Sequence, residues 1–302
     1  MQTVTLQNII KRYGKDKVAV NDVSISVEEG ELFGLIGPDG AGKTSIFRIL
    51  TTLLIPDGGS ATVCGFDTVK DYRSIRSIVG YMPGRFSLYQ DLSVEENLNF
   101  FAAVFGTSIE ENYELIRDIY VQLEPFKKRR AGKLSGGMKQ KLALCCALIH
   151  EPQVLFLDEP TTGVDAVSRK EFWDMLRRLR ERGITILVST PYMDEAILCD
   201  RICLLQNGQV LSIDSPQNIT AAYTDDLYAM KAGNMYELMK VMRAFPNVKS
   251  YLTFGDSAHV SFKDNTVQEQ EVISYALNNG LQQVELRKIA PTIEDAFIKF
   301  LS

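Results

Sequence analysis

The segment Leu32-Phe33-Gly34-Leu35-Ile36-Gly37-Pro38-Asp39-Gly40-Ala41-Gly42-Lys43-Thr44 decides the fold. Its first five residues read as a buried strand, and a helix is predicted over 45–54 directly after its last. A strand, a glycine-rich turn and a helix in this order are the setting of a phosphate-binding loop. Gly37, Pro38, Asp39, Gly40, Ala41 and Gly42 would wrap the phosphates. The available N–H groups of the loop, with those of Lys43, Thr44 and Ser45 at the helix N-terminus, would point at them. Lys43 is placed to reach the β and γ phosphates, and the Thr44 hydroxyl to ligate Mg²⁺.

Two stretches downstream extend this reading. Val154-Leu155-Phe156-Leu157 is a buried-type strand that ends in Asp158-Glu159-Pro160. Such a strand end is weak evidence alone. Beside a phosphate loop it puts Asp158 where it completes a Mg²⁺ shell, through water, and Glu159 where it acts as general base on an attacking water. Leu134-Ser135-Gly136-Gly137-Met138-Lys139-Gln140 then opens a helix predicted over 138–149 with a serine and two glycines. That is a second phosphate cradle, which the first does not need within one chain.

In this order and spacing the three motifs resemble the nucleotide-binding subunits of ATP-binding cassette (ABC) transporters, over about residues 3–222. The resemblance implies ATP with Mg²⁺. It implies an α/β fold, a P-loop NTPase cassette with a RecA-like core, an antiparallel β subdomain and a helical subdomain at about 86–150. Ser135, Gly136 and Gly137 match the family's signature. Gly163-Val164-Asp165 resembles its D-loop, which adds Asp165 to the nucleotide site, and Tyr13 resembles the aromatic residue that stacks on adenine. Cassettes of the family pair head to tail, so the signature of one chain would cap the γ-phosphate held by Lys43 of another. A second cassette is therefore implied, in a homodimer or a heterodimer.

The rest of the chain is that of an ordinary globular protein: 302 residues, 45% hydrophobic and 24% charged, large enough for about two domains. Lys plus Arg is 33 against Asp plus Glu 38, a net charge of −5, which provides no general field to hold nucleic acid. With His150 and His259 its only histidines, a histidine-rich metal site is disfavoured. The cysteines, Cys64, Cys145, Cys146, Cys199 and Cys203, read as reduced and mostly buried thiols, with Cys199 and Cys203 able to share a helix face. No apolar run is long enough to span a membrane.

Short β-branched runs alternate with amphipathic stretches up to about residue 215, the pattern of a largely parallel sheet. Residues 18–27 alternate as a hairpin strand that turns at Glu28-Glu29-Gly30-Glu31 into the strand Leu32–Ile36. Ser93 with Glu96 is a capping box for a helix that Gly106 ends. Ser108 with Glu111 opens another, with Leu115, Ile119 and Leu123 on one face. The basic residues Arg169, Lys170, Arg177, Arg178, Arg180 and Arg182 read as a solvated helix face. Asn207-Gly208 is a two-residue hairpin signal.

Past a short helix ending near Tyr223 the pattern changes. Strand 227–232, helix 234–244, strands 248–254 and 258–263, helix 266–279, strand 282–288 and helix 291–301 suggest a small ferredoxin-like α+β domain over 223–302, of order βαββαβ plus one helix. A single cassette followed by such a domain, ending in Pro291-Thr292-Ile293-Glu294-Asp295-Ala296-Phe297, resembles the ATPase subunits of ABC-2 type exporters. Their permease is a separate polypeptide, which implies a peripheral protein at the cytoplasmic face of the cell membrane. The exposed loop Arg85-Phe86-Ser87-Leu88-Tyr89 has the apolar character of a permease-docking surface, although Phe86 and Leu88 also fit a core under a loop.

Two positions depart from the family. It places glutamine after Tyr-x-Pro, to contact Mg²⁺ and the attacking water; here Tyr81-Met82-Pro83 is followed by Gly84, with Gln90 six residues on. It places a histidine after Ser-Thr; here Ser189-Thr190 is followed by Pro191, which has no donor and would start a helix carrying Met193, Asp194 and Glu195. Losing one positioned transition-state donor costs about 10²–10³ in turnover, which predicts ATP binding with slow hydrolysis. The leading reading is an ATP-hydrolysing export subunit. The alternatives are a catalytically weak cassette, either half of a heterodimer or an ATP-gated regulatory module, and a soluble ABC ATPase outside transport.

Overall fold

The computed structural model describes residues 2–14, 17–264 and 267–301. Two compact units divide the chain at Gln217/Asn218. In the first, the elements in chain order are β1 (Gln2–Tyr13), β2 (Lys17–Glu28), β3 (Leu32–Ile36), α1 (Lys43–Leu50), β4 (Gly58–Val63), β5 (Phe66–Asp67), α2 (Tyr72–Ile78), β6 (Val79–Met82), α3 (Val94–Phe105), α4 (Tyr113–Leu123), α5 (Gly136–Leu148), β7 (Val154–Asp158), α6 (Ala166–Glu181), β8 (Thr185–Thr190), β9 (Arg201–Gln206) and β10 (Gln209–Asp214), and the short α7 (Pro216–Ala221) crosses the division.

A six-stranded sheet in the order β10-β9-β3-β8-β7-β6 forms the centre, parallel throughout except for the β9/β10 hairpin at its edge. Its strands β3, β7 and β8 are buried along their whole length, as strands covered on both faces must be. A second, antiparallel sheet of order β2-β1-β4-β5 shares the core: Val4, Leu6, Val23 and Ile25 pack with Phe33, Phe47, Leu50 and Phe156. The antiparallel partner of β2 is thus β1, and the turn after Glu28 carries the chain from one sheet into the other. Asn207 and Gly208, both at positive φ, make the predicted hairpin turn.

Several helices differ in extent from the sequence reading. α1 stops at Leu50, because the N–H groups of Leu53 and Leu54 both return to the Arg48 carbonyl and close the helix. α3 has the predicted capping box of Ser93 with Glu96 and ends at Gly106. Ser108 and Glu111 exchange their bonds but close only a turn ahead of α4. The buried face of α4 is Ile116, Ile119, Tyr120 and Leu123, with Leu115 at its margin. On the basic face of α6 and its C-cap, Arg177, Arg178, Arg180 and Arg182 are solvated and pair with Asp118, Asp174 and Asp200, whereas Arg169, expected on the same face, is half-buried because Glu195 draws it inward. Four cysteines are buried, Cys64 is half-buried, and all five are free thiols; Cys199 follows a 3₁₀ turn and Cys203 lies in β9, so the two share no helix face.

The second unit contains β11 (Leu227–Lys231), α8 (Met235–Arg243), β12 (Val248–Phe254), β13 (Ser257–Phe262), α9 (Glu269–Asn278), β14 (Glu285–Ile289) and α10 (Ile293–Phe300). All neighbours in its sheet, of order β12-β13-β11-β14, are antiparallel, so β11 and β12 run parallel with β13 between them. Met230, Leu238, Met242, Val260, Val272 and Leu286 are in its core. The helix expected from 266 starts at Glu269, and position 266 itself lies outside the described residues. Pro291 precedes α10 rather than starting it, because Thr292 and Asp295 form the capping box. Among the described residues no helix is long and apolar enough to cross a membrane.

Candidate functional site

The parallel strands deliver their carboxyl ends to one rim, where the chain leaves β3 for α1 and where β7 ends. Gly42 is the N-cap of α1 at φ 110, and a Cβ there would stand 2.5 Å from the Ala19 carbonyl, so the residue has to be glycine on both counts. The first-turn N–H groups of α1, at Lys43, Thr44 and Ser45, have no acceptor inside the helix and face outward as an anion site.

Lys43 is buried, 3% exposed, and bent back over the loop. Its Nζ donates to the carbonyls of Gly37 (2.7 Å) and Pro38 (3.0 Å) and lies 3.2 Å from Glu159 Oε1. Glu159 is held in the left-handed region at φ 50, a conformation that non-glycine residues keep only when their surroundings impose it. Ser189, the neighbour of Asp158 on β8, imposes it. Its carbonyl and its Oγ both accept from the Glu159 N–H (3.1 and 3.0 Å), and its Oγ donates to Asp158 Oδ1 (2.7 Å).

Two openings flank this pair. One, of about 130 Å³, is lined by Tyr13, Lys17, Ala19, Gly40, Gly42, Lys43, Thr44, Ser45 and Glu159. Tyr13 stands at its edge, 40% exposed, with its hydroxyl 3.2 Å from Ser45 Oγ. The other, of about 580 Å³, is lined by Thr44, Arg48, Tyr81, Pro83, Gly84, Arg85, Asp158 and Glu159. Burial, with the Asp158 charge adding to it and Arg48 opposing it, raises the Tyr81 phenol to about 12. Thr44 and Asp158 offer this opening a hydroxyl and a carboxylate, the oxygen donors that a hard divalent cation takes. Among the described residues no cluster of three or more His, Cys, Asp and Glu provides a cage independent of bound phosphate.

The signature residues line neither opening. Ser135 is the N-cap of α5, its Oγ accepting from Met138 N–H at 3.3 Å. A Cβ on Gly137 would come within 2.7 Å of Ser168 Oγ, and one on Gly136 within 3.7 Å of the Gly163 carbonyl, so the signature packs on the start of α6 in its own chain. Asp165, the N-cap of α6, accepts from Val167 and Ser168 N–H, and the Ser168 bonds hold its carboxyl below the usual range.

Around Pro191 no helix forms. The Thr190 hydroxyl accepts the Tyr192 N–H at 3.0 Å and turns the chain, and the next regular piece is the 3₁₀ turn Ala196–Leu198. Glu195, 2% exposed, is drawn inward by the hydroxyls of Thr161 (2.8 Å) and Thr190 (2.6 Å), with Arg169 at 3.6 Å stacked on Tyr192. Gln90 lies apart from both openings, against Gly132. In the loop 85–89, Leu88 is a core residue and Tyr89 is exposed, set edge-on against Phe100. Sequence reasoning missed Ser189, Thr161 and Arg169 as supports of the site. A serine or threonine at the end of a buried strand beside a carboxylate-ended strand was the available signal.

A family model described as ABC transporter matches residues 20–162. The Nod factor export ATP-binding protein I of Rhizobium sp. (strain N33) is 37% identical over 300 residues, which are 98% of this chain and 96% of that one. The chain belongs to the ABC transporter family. The cassette is also 40% identical over 305 residues to the probable multidrug ABC transporter ATP-binding protein YbhF of Escherichia coli (strain K12), matching 99% of this chain and 52% of that relative. It thus spans about half the length of that curated relative. Among solved structures, a dimeric ATP-binding cassette in a post-hydrolysis state, bound to ADP and Pi, superposes with a TM-score of 0.64 at 26% identity, covering 70% of this chain and 98% of that one. An ATP-binding subunit of an ABC transporter does so with a TM-score of 0.66 at 26% identity, over 73% of this chain and 93% of that one.

Proposed function

We propose that this chain is the ATP-hydrolysing subunit of an ABC-2 type export system, which dimerises head to tail on ATP and drives a separate permease at the cytoplasmic face of the membrane. The observation that carries the reading is Lys43 and Glu159 meeting at 3.2 Å at the mouth of the phosphate loop, with Thr44 and Asp158 on the adjoining opening. The Nod factor export and multidrug relatives support the export part, and the dimeric solved cassette supports pairing. An apolar cavity of about 440 Å³, lined by Met82, Pro83, Leu88, Phe101, Val104 and Phe105 among others, offers a permease segment a docking groove beside the loop 85–89.

In this reading the residues of the chain divide the work. Tyr13 stacks on the adenine, and the N–H groups of residues 40–45 bind the phosphates. Lys43 leaves Glu159 for the β and γ phosphates, and the freed Glu159 carboxylate takes the proton of the attacking water. Ser189 keeps Asp158 and Glu159 in place throughout. Mg²⁺, held by Thr44 and Asp158, would draw charge from the phosphate oxygens. Ser135, Gly136 and Gly137 act on the nucleotide of the partner cassette, with Asp165 at the junction.

Hydrolysis is slow because Gly84 and Pro191 supply no side-chain donor. A second reading, a catalytically weak half of a heterodimer, is favoured by that same pair of positions. ATP turnover by the purified chain, with Glu159→Gln as control and ATP binding measured in parallel, decides between them. Turnover that disappears in Glu159→Gln upholds the motor. Tight ATP binding without any Glu159-dependent turnover, alone or with the permease, sinks it and leaves the weak half.

A further inference from the structure

ATP would bring its polyphosphate to an opening lined by two carboxylates, Asp158 and Glu159. In the reading above, Lys43 and Mg²⁺ answer that charge from the side of the loop and of β7. Donors on the β8 side are spent: the Ser189 hydroxyl bonds Asp158, the Thr190 hydroxyl bonds Glu195, and Pro191 has none. Of the two guanidinium groups that line the opening, Arg48 lies beside Tyr81 and opposes the rise of its phenol. Arg85 forms no hydrogen bond or ion pair among the described residues.

The backbone explains how Arg85 gets there. A Cβ on Gly84 would stand 3.0 Å from the Asp158 carbonyl, so the loop runs close against the end of β7, and the next residue, Arg85, is exposed on the opening that Glu159 also lines. A guanidinium presents several N–H donors in a planar fork that matches phosphate oxygens. Phosphoryl transfer spreads charge over those oxygens, and catalysis rests on donors aimed at them.

We propose that Arg85 is a catalytic residue of this site, its guanidinium donating to the γ-phosphate oxygens of ATP from the Gly84 side. The proposal rests on the hydrolytic reading above. The water oxygen bonds to the γ phosphorus as the bond to the β–γ bridging oxygen breaks, and the water proton passes to Glu159 and then to the released phosphate. Arg85 stays protonated throughout and follows the oxygens as their charge redistributes.

The test uses the isolated full chain, so that permease docking through the loop 85–89 plays no part. ADP affinity is measured with and without orthovanadate, a mimic of the transferring phosphoryl group, alongside ATP turnover, in wild type, Arg85→Ala, Arg85→Lys, Arg48→Ala and Glu159→Gln. The expected result is that vanadate tightens ADP binding in wild type. Arg85→Ala then loses at least about tenfold of that gain, and about 10²-fold of turnover, with ADP affinity alone within about twofold of wild type. Arg85→Lys recovers part of both.

Arg85→Ala retaining the vanadate gain and the turnover overturns the proposal while leaving Glu159-dependent hydrolysis standing. So does a loss confined to ADP affinity, or a larger loss in Arg48→Ala. Neither a vanadate gain nor Glu159-dependent turnover in wild type, in the isolated chain and again with the permease present, fells the hydrolytic reading and the assignment of Arg85 together.

Discussion

β7 and β8 lie side by side, parallel and in register, with Asp158 opposite Ser189, yet their ends carry different kinds of residue. β7 ends in two carboxylates that face the openings. β8 ends in two hydroxyls, each turned inward to a carboxylate, and then in a proline. One strand end presents chemistry and its neighbour holds that chemistry in place. Positioning in this site is thus assigned to buried hydroxyls, whereas donation toward the phosphate has no side chain on β8 at all.

The largest change that breaks the contrast is at the β7 end. Glu159→Gln is expected to lower ATP turnover by about 10²–10⁴-fold without weakening ATP binding, because it removes the proposed base and keeps the shape. A phosphate-release assay beside nucleotide titration checks this, and full turnover in the variant would move the base elsewhere. Pro191→His gives the β8 end the donor that it lacks, and a rise of about tenfold to 10²-fold is expected in the same assay. An unchanged rate would mean that the turn set by Thr190 and Tyr192 aims position 191 away from the phosphate.

Smaller effects test the positioning half. Glu195→Ala takes away the acceptor of the buried Thr161 and Thr190 hydroxyls and is expected to destabilise the first unit by about 2–3 kcal/mol, seen as a lower unfolding midpoint in urea. Ser189→Ala costs about 1–2 kcal/mol and lowers turnover by more than that stability loss accounts for, because the backbone of Glu159 loses one of its two acceptors.

The last effect is spectroscopic. With its phenol raised to about 12 by burial, Tyr81 stays neutral through pH 10, where exposed tyrosines ionise. Its pKa is raised on folding, so its contribution to stability is complete below the ordinary tyrosine value and is lost as pH climbs through about 12. The Tyr81→Phe difference in the alkaline absorbance titration should appear only at that upper end.

The loop from Gly37 to Thr44, the Asp158-Glu159 strand end and the glycines of the signature were legible in the sequence because each is a local run whose chemistry depends on adjacency. The sheets were legible from buried runs and from the Asn207-Gly208 turn. The supports were not. Thr161, Arg169 and Glu195 meet only after the strands are laid in order, and the pull of Thr190 and Thr161 on Glu195 prevents the helix that proline at position 191 would otherwise begin. Likewise α1 stops short of its apolar pattern because two N–H groups share one carbonyl, a closure that no periodicity announces.

In the proposed reading, the ion pair between Lys43 and Glu159 makes nucleotide entry an exchange of anions. A terminal phosphate arrives at a cation that a carboxylate already occupies, so the group proposed to activate water is restrained until the bond it would help to cut is in place. A diphosphate, one anionic group shorter, offers the lysine less in return for leaving. The empty site and the loaded site are then two settings of one interlock, and the length of the phosphate chain is its key.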